Sequence, residues 1–457
     1  MPLASLIMDS DSYKFSHAAQ YPPGTTGMFS YLESRGGRYN RTVFFGLQMI
    51  LKMLGLDKPV TGDDVKEARS FAKAHGVPFN EEGWGKVVSK HRGFLPVRIR
   101  AVREGTVVPT HNVLMTCESL DVDLFWLVSY IETALMRTWY PCTVATQSWH
   151  IRQIILEYLH ATSDDPDAEI DFKLHDFGAR GVSSRESAMI GGAAHLVNFR
   201  GSDTVAGVWA ANTYYKEPMA GVSIPAMEHS TVTSWGKERE ADAFSNMLDK
   251  FGGQGKLIAC VSDSYDIYKA CAEIWGKKLK RKVIESGTTV IVRPDSGHPA
   301  EVVTKCLQIL NDAFGSSRTK QGFKVLNNVR VIQGDGINED SIREILESAK
   351  KAGFSATNIA FGMGGALLQK VDRDTQKFAY KCSEVTVNGK SVPVSKDPIT
   401  DPGKRSKAGR VDLVFRNGKF ETVVGDHEFG SMLETVYENG EIKREQTLAD
   451  VRARAKL

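Results

Sequence analysis

Lysine and arginine outnumber aspartate and glutamate by only three in 457 residues, 58 against 55. So even a balance leaves no surface-wide field to attract nucleic acid, and an anionic substrate would have to be gripped by a local cluster of basic side chains. Cysteine is sparse, at six. Cys117, Cys142, Cys260, Cys271, Cys306 and Cys382 form no CxxC pair and no zinc-type Cys/His spacing, which excludes a disulfide scaffold and a zinc ribbon. They read as reduced, buried thiols of a cytoplasmic protein. The most apolar window, Leu124 to Met136, carries Glu132 and falls short of the roughly 18 residues a membrane span needs, so it reads as a buried helix. The opening MPLASLIMDSDSYK has no basic segment and is not expected to be a signal peptide. There is no GxxxxGK[ST] loop, and Gly362-Met363-Gly364-Gly365 is not a dinucleotide fingerprint because position 367 is leucine.

What remains is an ordinary globular composition, 42% hydrophobic and 25% charged, with length for about two to four domains or one large barrel with additions. Residues 1–150 read as part of a mixed α/β domain: Phe44 to Leu54 and Asp63 to His75 have helical spacing, and Leu95 to Val107 alternates like strands. Residues 379–457 read as a hairpin-rich segment completing that domain. Asn388-Gly389, Asn417-Gly418 and Asn439-Gly440 each sit between strand-like runs, and Leu448 to Ala455 reads as the last helix.

Residues 151–378 carry a different pattern. Seven β-like runs, each followed by a polar or glycine-rich loop and then a helical stretch, fall at Ile170–Leu174, Asp203–Val205, Gly221–Ile224, Leu257–Val261, Thr289–Val292, Val329–Ile332 and Asn358–Phe361. Parallel strands need crossover helices, so the alternation predicts an irregular TIM-like α/β barrel. In such a barrel the loops after the strands share one face, where sites are built. Those loops hold His175-Asp176-Phe177-Gly178, Ser202-Asp203-Thr204, Glu228-His229-Ser230, Ser262-Asp263-Ser264-Tyr265-Asp266, Arg293-Pro294-Asp295, Gln333-Gly334-Asp335-Gly336 and Gly362-Met363-Gly364-Gly365.

The glycine-rich last two loops suit a phosphate on backbone N–H groups, or are simply tight turns. Asp263, Asp266, Asp295 and Asp335 suit Mg²⁺ or ribose hydroxyls, though for Asp263 helix capping competes equally. Arg180, Arg293 and Arg373 could grip phosphates or be ordinary surface cations. His229 beside Glu228 suits a general base or a phosphoryl acceptor, or is structural. No strand end carries a lysine, which argues against a Schiff-base aldolase.

The ordered motifs resemble one family. They are Asp11-Ser12-Tyr13-Lys14 with Gln20-Tyr21-Pro22-Pro23, Lys173-Leu174-His175-Asp176-Phe177-Gly178 with Arg180-Gly181-Val182-Ser183-Ser184, Asp203-Thr204-Val205-Ala206-Gly207, Glu228-His229-Ser230, Ser262 through Tyr268, Arg293-Pro294-Asp295-Ser296-Gly297, Gln333-Gly334-Asp335-Gly336, Lys396-Asp397-Pro398 and Lys404-Arg405-Ser406-Lys407. Over nearly the whole chain this is similar to the nicotinamide phosphoribosyltransferases, of the type II phosphoribosyltransferases. The resemblance implies transfer of phosphoribosyl from phosphoribosyl pyrophosphate to nicotinamide, giving nicotinamide mononucleotide and pyrophosphate in NAD salvage. It implies Mg²⁺, ATP as co-substrate, no membrane or nucleic-acid partner, and a homodimer whose sites are completed by the partner's terminal segments. The fold it implies is an irregular barrel beside a second α/β domain.

Carried over residue by residue, Phe177 and a partner's Tyr13 sandwich the pyridine ring and Asp203 accepts from the carboxamide. Arg293 lies near the amide and phosphate, Asp295 and Asp335 bind ribose, and Arg180 contacts the phosphoribosyl group. Gly364, Gly365 and Arg373 hold the 5′-phosphate, Ser262 and Gly334 fall in substrate loops, and Asp266 lies near Mg²⁺ and pyrophosphate. His229, beside Glu228, is the phosphorylated histidine, and Arg35, Lys381, Lys396 and Lys404 face the phosphates of ATP and pyrophosphate. Ala179, Met363 and Ala366 depart from the family pattern. The nearest alternative is a nicotinate phosphoribosyltransferase; more distant ones are a sugar-phosphate lyase or isomerase and a binding protein that lost activity.

Overall fold

The computed structural model describes residues 5–400, 405–425 and 430–456. The chain divides into two units, one made of Met1–Thr146, Ala211–Glu217 and Asp372–Leu457, the other of Gln147–Ala210 and Pro218–Val371.

The second unit is organised by six parallel strands: β1 (Leu174–Asp176), β2 (Gly201–Ser202), β3 (Leu257–Val261), β4 (Thr289–Arg293), β5 (Val329–Gln333) and β6 (Ile359–Met363). Their spatial order is β2-β1-β6-β5-β4-β3. Valine and isoleucine dominate β4 and β5, as expected of strands covered on both faces. The segment after Ala220 touches both margins of this sheet. Val222 bridges Gly201 of β2, and Ala226 bridges Ala259 of β3, both parallel. Val222 N–H donates to the Arg200 carbonyl at 2.8 Å, and Ala259 N–H to the Pro225 carbonyl at 2.9 Å. The sheet is therefore strongly curled.

Two of the crossover helices show how sequence starts them. Pro299–Phe314 has proline at its first turn, where a missing N–H costs nothing. Glu339–Lys351 starts from a capping box in which Asn338 and Ser341 satisfy each other's backbone N–H groups.

The first two sequence-assigned strands shift. Ile170–Phe172 is a 3-10 turn, with the strand just beyond it. At the second, Gly201–Ser202 is the strand and Val205 already opens the helix Val205–Tyr214. Strands of two or three residues hold too few side chains to show alternation. The third run, Gly221–Ile224, is a single bridge and not a strand.

The first unit is built on a seven-stranded antiparallel sheet, in the order Lys390–Pro393, Phe378–Val387, Thr25–Ser34, Val113–Ser119, Val97–Ala101, Glu434–Glu438, Glu441–Ile442. All three Asn-Gly pairs close hairpins, with φ of 49° and 71° at Asn388 and Gly389, 51° and 74° at Asn417 and Gly418, and 50° and 91° at Asn439 and Gly440. Two successive left-handed residues are what a two-residue type I′ turn demands. The last helix is Leu448–Ala455, and Asp63 to His75 lies in the helix Gly62–His75. The apolar window is two short helices, Leu127–Tyr130 and Glu132–Met136. No helix among the described residues is long and apolar enough to cross a membrane. All six cysteines are free and five are buried.

Candidate active site

The second unit holds a cavity of about 580 Å³ whose lining comes from β1, β3, β4, β5, β6 and the 222–226 segment. Phe177, Asp203 and Arg293 line it at the carboxyl ends of the strands; Lys173 and Arg330 line it at the amino ends.

Phe177 follows β1 and is fixed by its N–H, which donates to the Met363 carbonyl at the end of β6 at 3.0 Å. Its ring lies directly on Gly362, where a Cβ would sit 2.0 Å from Cε2. A Cβ on Gly334 would lie 3.6 Å from the same ring carbon and 3.3 Å from Asp295 Oδ1. Glycines at the ends of β5 and β6 thus clear space for an aromatic face that opens into the cavity.

Asp203 receives the Ser223 hydroxyl on its Oδ1. Its N–H donates to the Asp176 carbonyl at 2.9 Å. Asp176 is fully buried, and its Oδ1 accepts from Gly178 N–H at 2.7 Å. Burial pushes its carboxyl up from the ordinary 3.8 to about 6, against the opposing Gly178 bond and with the Asp203 charge as a lesser contribution. A raised folded-state value means the folded protein holds the proton longer than the unfolded chain. The stability tied to that proton is full below pH 3.8 and is lost as pH rises through about 6, a difference of about 3 kcal/mol. Asp176→Asn, which keeps the acceptor without the charge, is expected to raise the melting temperature at pH 8 and to change it little at pH 4. Equal shifts at both pH values would overturn this.

Arg293 ends β4 with its Nε buried and without a hydrogen-bond partner. A buried guanidinium donor with nothing to bond marks a place for a ligand acceptor. Two residues on, Asp295 is held above the usual carboxylate range, by burial first, with Arg293 opposing. Asp263 binds this corner together. Its Oδ2 accepts from Asp295 N–H at 3.1 Å and from the Ser296 hydroxyl at 2.7 Å, and its Oδ1 faces His229 Nε2 at 2.9 Å. The Asp263 side chain is only 5% exposed, while that of His229 is 45% exposed. The geometry therefore corrects the pairing read from sequence. Asp263 orients His229, whereas Glu228 accepts from Ser230 and is exposed.

Other predicted residues fall as follows. Ser262 is buried; its hydroxyl donates to the Cys260 carbonyl at 3.0 Å and accepts from Trp275 Nε1 at 3.1 Å, so its one donor is already spent within the fold. Asp266 caps the turn Ile267–Lys269 through one oxygen, Oδ1, which accepts from Tyr268 and Lys269 N–H at 3.0 Å each. No group of three or more His, Cys, Asp or Glu residues able to hold a metal occurs among the described residues. Asp335 is exposed in the turn after β5. A Cβ on Gly364 would lie 3.5 Å from the Phe177 carbonyl, and Gly365 has open space around it. Arg180 is exposed, one residue before Gly181, whose added Cβ would lie 3.4 Å from Gly365.

Tyr13, Arg35, Arg373, Lys381 and Lys396 belong to the first unit and line one cavity of about 790 Å³. The Lys381 ammonium is pushed below its usual value, by burial first, and then by the crowding charges of Arg35, Lys396 and Arg373 against the opposing Glu132. Four cations lining one cavity are prepared for an anion. Lys404 lies outside the described residues.

The family model described as the nicotinate phosphoribosyltransferase (NAPRTase) family matches residues 172–441, and the nicotinamide phosphoribosyltransferase N-terminal domain matches residues 5–99. A nicotinamide phosphoribosyltransferase of Xanthomonas campestris pv. campestris is 57% identical over 99% of this chain and 98% of its own. The chain belongs to the nicotinamide phosphoribosyltransferase family. A nicotinamide phosphoribosyltransferase of Mycoplasma pneumoniae is 32% identical over 89% of this chain and 95% of its own. Among solved structures, nicotinate-nucleotide pyrophosphorylase from Pyrococcus furiosus superposes with a TM-score of 0.63 at 17% identity, covering 99% of this chain and 95% of that one. Human nicotinic acid phosphoribosyltransferase gives 0.58 at 16% identity over 98% and 93%. At such identity these two speak for the fold alone.

Proposed function

We propose that this chain transfers the phosphoribosyl group of phosphoribosyl pyrophosphate to nicotinamide, releasing pyrophosphate and giving nicotinamide mononucleotide for NAD salvage in the cytoplasm. The observation that carries this is the joint lining of one cavity by the Phe177 ring, Asp203 and Arg293. The curled sheet, its margins joined through 222–226, is read as an irregular TIM-like barrel, and the first unit as a second α/β domain.

Phe177 stacks the pyridine face. Asp203, with Oδ1 engaged by Ser223, presents its other oxygen to the carboxamide NH₂. A carboxylate there accepts from an amide and repels the carboxylate of nicotinate, which favours nicotinamide over the nicotinate alternative. Arg293 supplies the unpaired guanidinium donor, Asp295 and Asp335 hold ribose hydroxyls, and Gly364 and Gly365 present backbone N–H groups to the 5′-phosphate alongside Arg180. The pyridine nitrogen is unprotonated at neutral pH and needs no base; stacking holds it in line with the anomeric carbon while the C–O bond to pyrophosphate breaks and its electron pair leaves with pyrophosphate. Basic side chains neutralise that leaving charge.

Mg²⁺ takes most of its ligands from phosphates and water and only one or two from carboxylates. The Asp266 oxygen not used in capping fits that sparse role, and the ion would supply charge neutralisation on pyrophosphate.

ATP acts through His229. The Asp263 carboxylate accepts from Nε2–H, so the lone pair sits on Nδ1, the nucleophilic nitrogen that takes the γ-phosphoryl group as the bond to the bridging oxygen breaks and ADP leaves. The chain works as a homodimer in which each site takes Tyr13 and the phosphate-binding cations Arg35, Arg373, Lys381, Lys396 and Lys404 from the partner.

Nicotinamide mononucleotide formation, measured with nicotinamide against nicotinate and with and without ATP, tests this reading. Expected are a strong preference for the amide, a stimulation by ATP, and a preference lowered about tenfold by Asp203→Asn. Absence of product, or an unchanged preference in Asp203→Asn, would refute it.

A further inference from the structure

Two residues on the rim of the first-unit cavity hold an unusual backbone. His111 has φ 66° and Lys377 has φ 49°, the left-handed region that is uncommon outside glycine and in which asparagine, aspartate and histidine are enriched. Three of the other left-handed residues, Asn388, Asn417 and Asn439, lie in the Asn-Gly turns and are accounted for by those hairpins. Lys377 likewise closes a turn, its N–H donating to the Asp374 carbonyl at 3.2 Å, and His111 lies in the turn between Val107–Pro109 and Val113–Ser119. Both are exposed, and both line the cavity that also holds Arg35, Arg373, Lys381 and Lys396.

The same strand end fixes them. His111 N–H donates to the Ser34 carbonyl at 2.7 Å, and Arg35 N–H donates to the Lys377 carbonyl at 3.3 Å. Between them runs the turn after that strand. A Cβ on Gly36 would lie 3.8 Å from His111 Nε2, and one on Gly37 would lie 2.4 Å from the carbonyl of Thr375, two residues before Lys377. These bonds keep two further basic side chains on the wall of a cavity already lined by four cations, where a phosphate gains charge-assisted bonds.

We propose that His111 and Lys377 are two further ligands of the polyphosphate group held in this cavity, donating an imidazole N–H and an ammonium N–H to phosphate oxygens. This rests on reading the cavity as the phosphate site. The acids on its wall do not compete for these donors: Asp11 accepts from Thr133 at 2.5 Å, Glu132 holds Lys14 at 2.6 Å, and Asp374 lies 3.4 Å from Arg373. Charge-assisted bonds from these two side chains would add to those of Arg35, Arg373, Lys381 and Lys396 on the same wall.

The test is calorimetric binding of inorganic pyrophosphate to the full chain and to His111→Asn, Lys377→Asn and Lys381→Ala. Asparagine accepts the left-handed backbone, so thermal melts of the first two variants are expected to match wild type; His111→Gly, which relieves the backbone altogether, is the second variant should the asparagine melt early. Each rim variant is expected to weaken pyrophosphate binding about tenfold. If Lys381→Ala loses binding while the rim variants bind as wild type, the rim assignment is overturned and the phosphate site stands. If Lys381→Ala also binds as wild type, the reading of the cavity falls with it.

Discussion

Gly362→Ala is expected to raise the KM for nicotinamide by about a hundredfold. The added methyl would stand 2.0 Å from Cε2, 2.2 Å from Cδ2 and 2.8 Å from Cζ of Phe177, so a whole ring edge has to retreat by more than an ångström. The ring cannot simply swing aside on its backbone, because Phe177 N–H is bonded to the Met363 carbonyl. A displacement of about 1 Å at a positioning group costs on the order of 10² in rate or binding. Steady-state kinetics at saturating phosphoribosyl pyrophosphate measure it. A KM within twofold of wild type would mean that the pyridine ring does not rest on Phe177.

Asp263→Asn is expected to lower ATP-dependent phosphorylation of His229 by roughly 10² to 10⁴, while slow transfer without ATP survives. The range is that for losing the carboxylate that fixes a working histidine's tautomer. Asparagine can still accept from Asp295 N–H and the Ser296 hydroxyl, so the loop keeps its supports and the loss falls on His229. His229→Ala sets the floor, and the two variants should lie close to one another in ATP hydrolysed per nicotinamide mononucleotide formed. An Asp263→Asn enzyme that still hydrolyses ATP in step with product would sink the assignment.

Regular features were legible in the chain. Asn-Gly between alternating runs dictated three hairpins, because the turn chemistry is local to two residues. Valine-rich β4 and β5 were visible for the same reason, each being a run of five residues with its own signature. Gly201–Ser202 was not, since its identity as a strand comes from neighbours and not from its own side chains.

In the site, the loops that hold Phe177, Asp203, Arg293 and His229 could be named because they follow strands. Which carboxylate serves His229 could not: Glu228 is adjacent in sequence, but Asp263, 34 residues away, is adjacent in space. Ser223 beside Asp203 was missed for a like reason, lying in a segment that pairs by one bridge and resembles a loop. The hydroxyl of Ser262 looked available in sequence because nothing there reveals that Trp275 sits beneath it.

The pairing of Thr25–Ser34 with Phe378–Val387 bears on how the molecule is made. The central sheet of the first unit cannot close until almost four hundred residues have left the ribosome. The second unit lies almost wholly within one continuous stretch between those partners and can fold while its host still waits for its missing strand. During synthesis, then, Thr25–Ser34 passes a long interval with one edge unclaimed, the moment at which a nascent chain is most open to pairing with the wrong neighbour.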